Sequence, residues 1–80
     1  MPLTLRLYSR PECHLCVEME AVVARLAREF GATLEEINIE TDPGLEAHFG
    51  QDIPVLFING RKAFKYRVSE RELRARLQRG

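Results

Sequence analysis

Leu3, Leu5 and Leu7 alternate with Thr4, Arg6 and Tyr8, the period-two signature of a strand with one face against a core. From Leu15 the period changes. Leu15, Met19, Val22, Val23, Leu26 and Phe30 fall three or four apart, which predicts an amphipathic helix; Gly31 follows the last of them, where a left-handed cap would end it. Met19 reads as core filler with its aliphatic neighbours. A second short strand starts near Thr33 and carries Ile37 and Ile39 either side of Asn38. Strand, long helix and strand in succession imply a right-handed crossover and a parallel pair. Asp42-Pro43 then reads as an N-cap followed by proline at the first helical position, with Leu45 and Phe49 on one face and Gly50 as the stop. His48 lies on that short helix and reads as a surface side chain.

Ile53-Pro54-Val55-Leu56-Phe57-Ile58 is the most apolar run, and its β-branched and aromatic character predicts a central strand covered on both faces, with Pro54 confined to its beginning. Asn59-Gly60 is a two-residue hairpin signal, so Arg61 to Tyr66 should return antiparallel as an edge strand protected by Arg61, Lys62 and Lys65. Ser69-Glu70-Arg71-Glu72 is a capping box, with Val68 and Leu73 placed as its hydrophobic staple and Leu77 one turn on. The order β-α-β-α-β-β-α defines an α/β domain.

Eighty residues make one small domain, 1–80. A hydrophobic fraction of 45% with 30% charged residues excludes disordered and fibrous classes. The apolar runs are only a few residues long, and Met1-Pro2-Leu3-Thr4 lacks a basic segment leading into an apolar one. No membrane span or exported precursor is therefore expected, and the default is a cytoplasmic monomer. A formal net charge of zero argues against general nucleic-acid binding. It conceals an asymmetry: residues 1–60 carry four basic and ten acidic side chains, residues 61–80 eight basic and two acidic. The basic tail reads as a solvated face ahead of a docking surface.

Both cysteines lie in Arg10-Pro11-Glu12-Cys13-His14-Leu15-Cys16, between the first strand and the long helix. Three apart at a helix start, their Cβ atoms would stand roughly 5–6 Å apart, near the reach of a disulfide. Cys13 would meet the unpaired N–H groups and positive dipole end of the helix, which acidify its thiol for attack as thiolate; Cys16, one turn deeper, would be the resolving thiol. A purely structural disulfide across so short a loop would contribute only about 2 kcal/mol in the chain-entropy model. A metal clip would need His14 and His48 to supply the other half of the site. Dithiol–disulfide exchange is the favoured reading, and a lone vicinal pair fits a reducing compartment.

These residues together resemble a glutaredoxin-like member of the thioredoxin-fold family. The likeness is carried by Leu5-Arg6-Leu7-Tyr8, Arg10 three before Cys13, Cys13-His14-Leu15-Cys16, Ile53-Pro54-Val55 and the Ile58-Asn59-Gly60 turn, and it spans nearly the whole chain. It implies a four-stranded mixed sheet flanked by three helices, Cys13 as attacking and Cys16 as resolving cysteine, and a cis Ile53-Pro54 bond that presents the Ile53 backbone to the substrate. It also implies that Arg10 supplies a cation near the nucleophile. His14 stands where similar proteins have proline, and its imidazolium would favour the thiolate and a more oxidising pair.

The chain also departs from glutathione-using glutaredoxins. Their Gly-Gly pair before the last helix, whose N–H groups would cradle a carboxylate, is replaced by Lys65-Tyr66-Arg67-Val68-Ser69. Arg67 and the Ser69 helix start are candidate substitutes as an anion site. The implied activity is reduction of protein disulfides or mixed disulfides without a bound cofactor, with electrons from glutathione or from a thioredoxin-reductase-like flavoprotein. The alternative is a small metal-carrier module; those domains run β-α-β-β-α-β and end on a strand, whereas here a capped helix closes the chain. A cluster scaffold ranks below both, since similar scaffolds keep a single active-site cysteine.

Overall fold

The computed structural model describes residues 2–79. Four strands, β1 (Thr4–Ser9), β2 (Thr33–Asn38), β3 (Val55–Ile58) and β4 (Arg61–Lys65), and three helices, α1 (His14–Phe30), α2 (Pro43–Phe49) and α3 (Glu70–Gln78), follow the expected order. The strands form one sheet in the order β2-β1-β3-β4. β1 runs parallel to β2 and antiparallel to β3, and β3 is antiparallel to β4. The mixed four-stranded sheet with three helices is therefore the architecture that the resemblance implied.

Strand alternation sorts the core onto the two faces of the sheet. Leu5, Leu7, Leu56 and Ile58 join Met19, Val23 and Leu26 of α1 and Leu73 and Leu77 of α3 in the larger cluster. Val55, with Tyr8 and Phe57, turns to the other face and packs against Ile39 and Phe49. There Tyr8 stacks on Phe49 at 4.4 Å between centroids, and Phe57 meets both rings edge-on. β3 is thus covered on both sides, as its unbroken apolar run requires.

Local differences from the sequence pattern have physical causes. The buried stripe of α1 begins at Cys16, not Leu15: Cys16 is 4% exposed, whereas Leu15 is only half-buried. β2 ends at Asn38, whose side chain accepts from the Glu40 N–H and opens a 3-10 turn, so Ile39 reaches the core from that turn and not from the strand. β4 stops at Lys65 because Tyr66 enters the left-handed region at φ 73°. Gly31 does adopt the left-handed cap at φ 67°. Gly50 does not: at φ −52° it continues right-handed, and glycine is needed because a Cβ there would lie 2.6 Å from the Glu46 carbonyl oxygen. Asn59 and Gly60, at φ 49° and 85°, make the tight turn between Ile58 and Arg61. Among the described residues no helix is long and apolar enough to cross a membrane.

Candidate functional site

The carboxyl ends of β1 and β2 lie at one end of the sheet, and antiparallel pairing brings the start of β3 and the end of β4 to that same end. The segment from Arg10 to Cys13 leaves β1 there. Glu12 takes φ 57°, a conformation a non-glycine residue adopts only at some cost, and the turn delivers Cys13 as the N-cap of α1 at φ −116°, ψ 109°. The Cys13 sulfur accepts the Cys16 N–H at 3.1 Å, while the Cys13 carbonyl accepts from Val17. A sulfur thus occupies the position where a serine or aspartate oxygen usually satisfies the first helical turn.

Cys13 and Cys16 are paired as a disulfide, with Cα atoms 5.2 Å apart. The two are unequal. Cys13 is partly open to solvent, whereas Cys16 is buried at the head of the α1 stripe. The first turn of α1 contains no acidic residue, so no carboxylate of its own competes for the N–H groups facing Cys13.

Ile53 and Pro54 lead into β3 at this same end of the sheet, and the bond between them is cis. The Pro54 carbonyl accepts the Tyr66 N–H at 2.7 Å, and the Tyr66 hydroxyl donates to the Gln51 carbonyl at 3.0 Å. Tyr66 therefore ties the Ile53-Pro54 segment from both its backbone and its ring. It occupies a positive-φ position, for which glycine would have been the sequence signal, so its role was not legible from residue type.

The remaining candidate residues divide. Arg10 is half-buried, and its Nη2 donates to the Gly50 carbonyl at 2.9 Å, at the C-terminus of α2. Arg10 therefore anchors α2 to the cysteine loop through this hydrogen bond. His14 is 88% exposed, and its Nε2 lies 2.7 Å from Glu18 Oε2. The other oxygen of Glu18 faces Arg67 Nη1 at 3.8 Å. Glu18 was not singled out from the sequence; the spacing of four from His14 was the available signal.

Arg67 and Ser69 line a groove of about 290 Å³ between α1 and the start of α3, together with Glu18, Met19, Val22 and Glu72. At the α3 end of that groove Ser69 and Glu72 are engaged with each other. Ser69 Oγ accepts the Glu72 N–H and Glu72 Oε1 accepts the Ser69 N–H, both at 3.0 Å. On the opposite side of α1, Cys16 shares a second cavity of about 250 Å³ with Glu20 and Glu36. Burial, and then the charge and hydrogen bonding of Glu20, push the Glu36 carboxyl above the usual glutamate range. His48 stands exposed and edge-on to Phe49. Among the described residues no three His, Cys, Asp or Glu side chains converge as a metal-ligand set.

Comparison with known proteins agrees with this arrangement. Residues 4–78 match the family described as "Glutaredoxin-like domain (DUF836)". A protein of Archaeoglobus fulgidus named as a probable thioredoxin is 33% identical over 73 residues, spanning 88% of this chain and 80% of that protein. The X-ray structure of a structural-genomics target from X. campestris superposes with a TM-score of 0.74 at 32% identity, covering 95% of this chain and 97% of that one. The thioredoxin Deadhead of Drosophila melanogaster shares the fold, with a TM-score of 0.67 at 21% identity over 98% of this chain and 80% of its own. A thioredoxin-like fold carrying a Cys-x-x-Cys pair supports a redox-type function.

Proposed function

This chain belongs to the glutaredoxin-like domain family, and from that premise we propose that it is a dithiol–disulfide oxidoreductase acting on protein disulfides or mixed disulfides. The observation that carries the reading is the inequality of the two sulfurs: Cys13 caps α1 and is open to solvent, while Cys16 lies buried one turn behind it.

In the proposed cycle the Cys13 thiolate attacks one sulfur of the substrate disulfide. A Cys13–substrate disulfide forms, the substrate S–S bond breaks, and the departing thiolate takes a proton from solvent. Cys16 then gives up its proton and attacks Cys13; the mixed disulfide breaks and the second substrate thiolate leaves and is protonated. Two electrons have passed to the substrate, and the Cys13–Cys16 disulfide must be reduced by an external thiol or flavoprotein. The N–H groups of the first turn of α1 and the dipole behind them favour the thiolate form of reduced Cys13. Ile53, at the same end of the sheet, offers backbone to the substrate segment.

Replacing Cys16 with serine removes only the second step. Treated with bis(2-hydroxyethyl) disulfide, the C16S variant should accumulate a stable mercaptoethanol adduct on Cys13, read by intact mass and peptide mapping. The wild-type chain should instead lose two hydrogens as the intramolecular disulfide closes. Failure of C16S to form the adduct, or equal labelling of Cys16 in a C13S variant, would contradict the assignment.

A further inference from the structure

We propose that Glu18 sets the charge specificity of the dithiol, so that a disulfide flanked by a basic side chain is favoured and anionic thiols and disulfides are disfavoured. This rests on the oxidoreductase reading above and names the substrate class of that same site.

Glu18 lines the groove between α1 and the start of α3 and connects it to the cysteine loop through His14, the residue that follows Cys13. One oxygen holds His14, the residue next to Cys13, and the other faces Arg67 on the opposite wall. The imidazole next to Cys13 and the guanidinium on the groove wall thus both face a carboxylate supplied by the chain itself. At the start of α3, where a ligand carboxylate could find N–H groups, the capping box takes up the Ser69 and Glu72 N–H groups and already places the Glu72 carboxylate. An anionic ligand arriving here would displace one of the protein's own carboxylates and stand beside it. A basic side chain meets two carboxylates, Glu18 and Glu72, against the single guanidinium of Arg67, and its aliphatic stem can lie on Met19, Val22 and Val68, which also line the groove. The favoured occupant is therefore a polypeptide segment with a lysine or arginine close to the attacked cysteine.

The test uses three small disulfides of similar length and opposite charge: cystamine, bis(2-hydroxyethyl) disulfide and 3,3′-dithiodipropionate. Second-order rates of oxidation of the reduced protein at low ionic strength are divided by the rates of dithiothreitol with the same disulfides, which removes intrinsic reactivity. The normalised rates should fall in the order cation, neutral, anion, with a step of about fivefold per charge, as expected for an exposed charge contact, and the steps should shrink in high salt. In E18Q the anion should gain about fivefold relative to the neutral disulfide, and E18Q/R67A should lose that gain, because it comes from the freed Arg67. Equal normalised rates in the wild-type chain, or an E18Q profile identical to it, would overturn the assignment of Glu18. Inability to reduce any of the three disulfides would instead overturn the oxidoreductase reading on which it rests.

Discussion

The two longer helices begin in the same way and to opposite ends. At α3 the Ser69 hydroxyl accepts the Glu72 N–H at 3.0 Å, and at α1 the Cys13 sulfur accepts the Cys16 N–H at 3.1 Å. The third helical position then separates them. In α3 it is Glu72, whose carboxylate returns to the Ser69 N–H and closes the box; in α1 it is Cys16, which returns no carboxylate. The first turn of α3 holds two acidic residues and that of α1 holds none. One helix start is closed by a reciprocal box that contributes stability, whereas the other carries no carboxylate at its positive end. The two caps share a geometry and differ in the capping atom, sulfur or hydroxyl, and in the residue three positions on.

Exchanging the capping atoms should break this comparison most sharply. Cys13→Ser retains a good cap, so its stability should stay within about 0.5 kcal/mol of the reduced wild-type protein, while disulfide exchange falls by on the order of a thousandfold or more because the nucleophile is gone. Ser69→Ala should do the reverse. Loss of the box costs about 1 kcal/mol, or a Tm lower by about 4–8 °C for a domain of this size, with exchange rates nearly unchanged. Thermal melts and stopped-flow rates on the two variants check both halves, and a Cys13→Ser protein that still exchanges would remove the distinction.

A smaller effect sharpens the contrast through pH. Glu36, beside Glu20 on the α1 side, has its folded pKa raised, chiefly by burial. Its protonated form is the one the fold favours, so stability declines as pH rises from the usual glutamate range through the raised value. Glu29 is hydrogen-bonded to Arg74 of α3, which lowers its pKa. Its contribution is present above the usual glutamate value and is lost as pH falls through the lowered one. Glu36→Gln should therefore raise the Tm at neutral pH and make no difference in acid, while Glu29→Gln should lower it at neutral pH and converge with wild type in acid. Both shifts should be small, because Glu29 and Glu36 both keep much of their side chains in water, Glu36 being only partly withdrawn from it; curves of the opposite sign would contradict these placements.

Much of this was written in local patterns. The alternating leucines of β1, the Asn59-Gly60 turn and the Ser69–Glu72 box each depend on neighbours in sequence, and each formed where its pattern said. Cys13 and Cys16 were legible for the same reason, since a spacing of three on a helix start fixes their separation. What was not legible depends on long side chains crossing between elements. Arg10 reads as a cation for the nucleophile; its hydrogen bond to the Gly50 carbonyl, made from a side chain that also lines the Cys16 cavity, depends on α2 being folded beside it. Glu18 looks like one more exposed acid until Arg67 is folded opposite it. Tyr66 takes a left-handed backbone position without being glycine, stabilised by hydrogen bonds to Pro54 and Gln51 that only the tertiary fold brings together.

The central claim, that α1 begins at an exchange-competent dithiol, is tested most directly by equilibrating the protein in glutathione redox buffers, quenching in acid, alkylating free thiols and reading the species by intact mass. The account predicts a reversible two-electron transition between dithiol and Cys13–Cys16 disulfide at about −180 to −270 mV, within the range spanned by thiol–disulfide oxidoreductases. Any glutathione adduct should stay a minor species confined to Cys13. A pair that remains in one state across the whole series, or a stable adduct on Cys16, would contradict it.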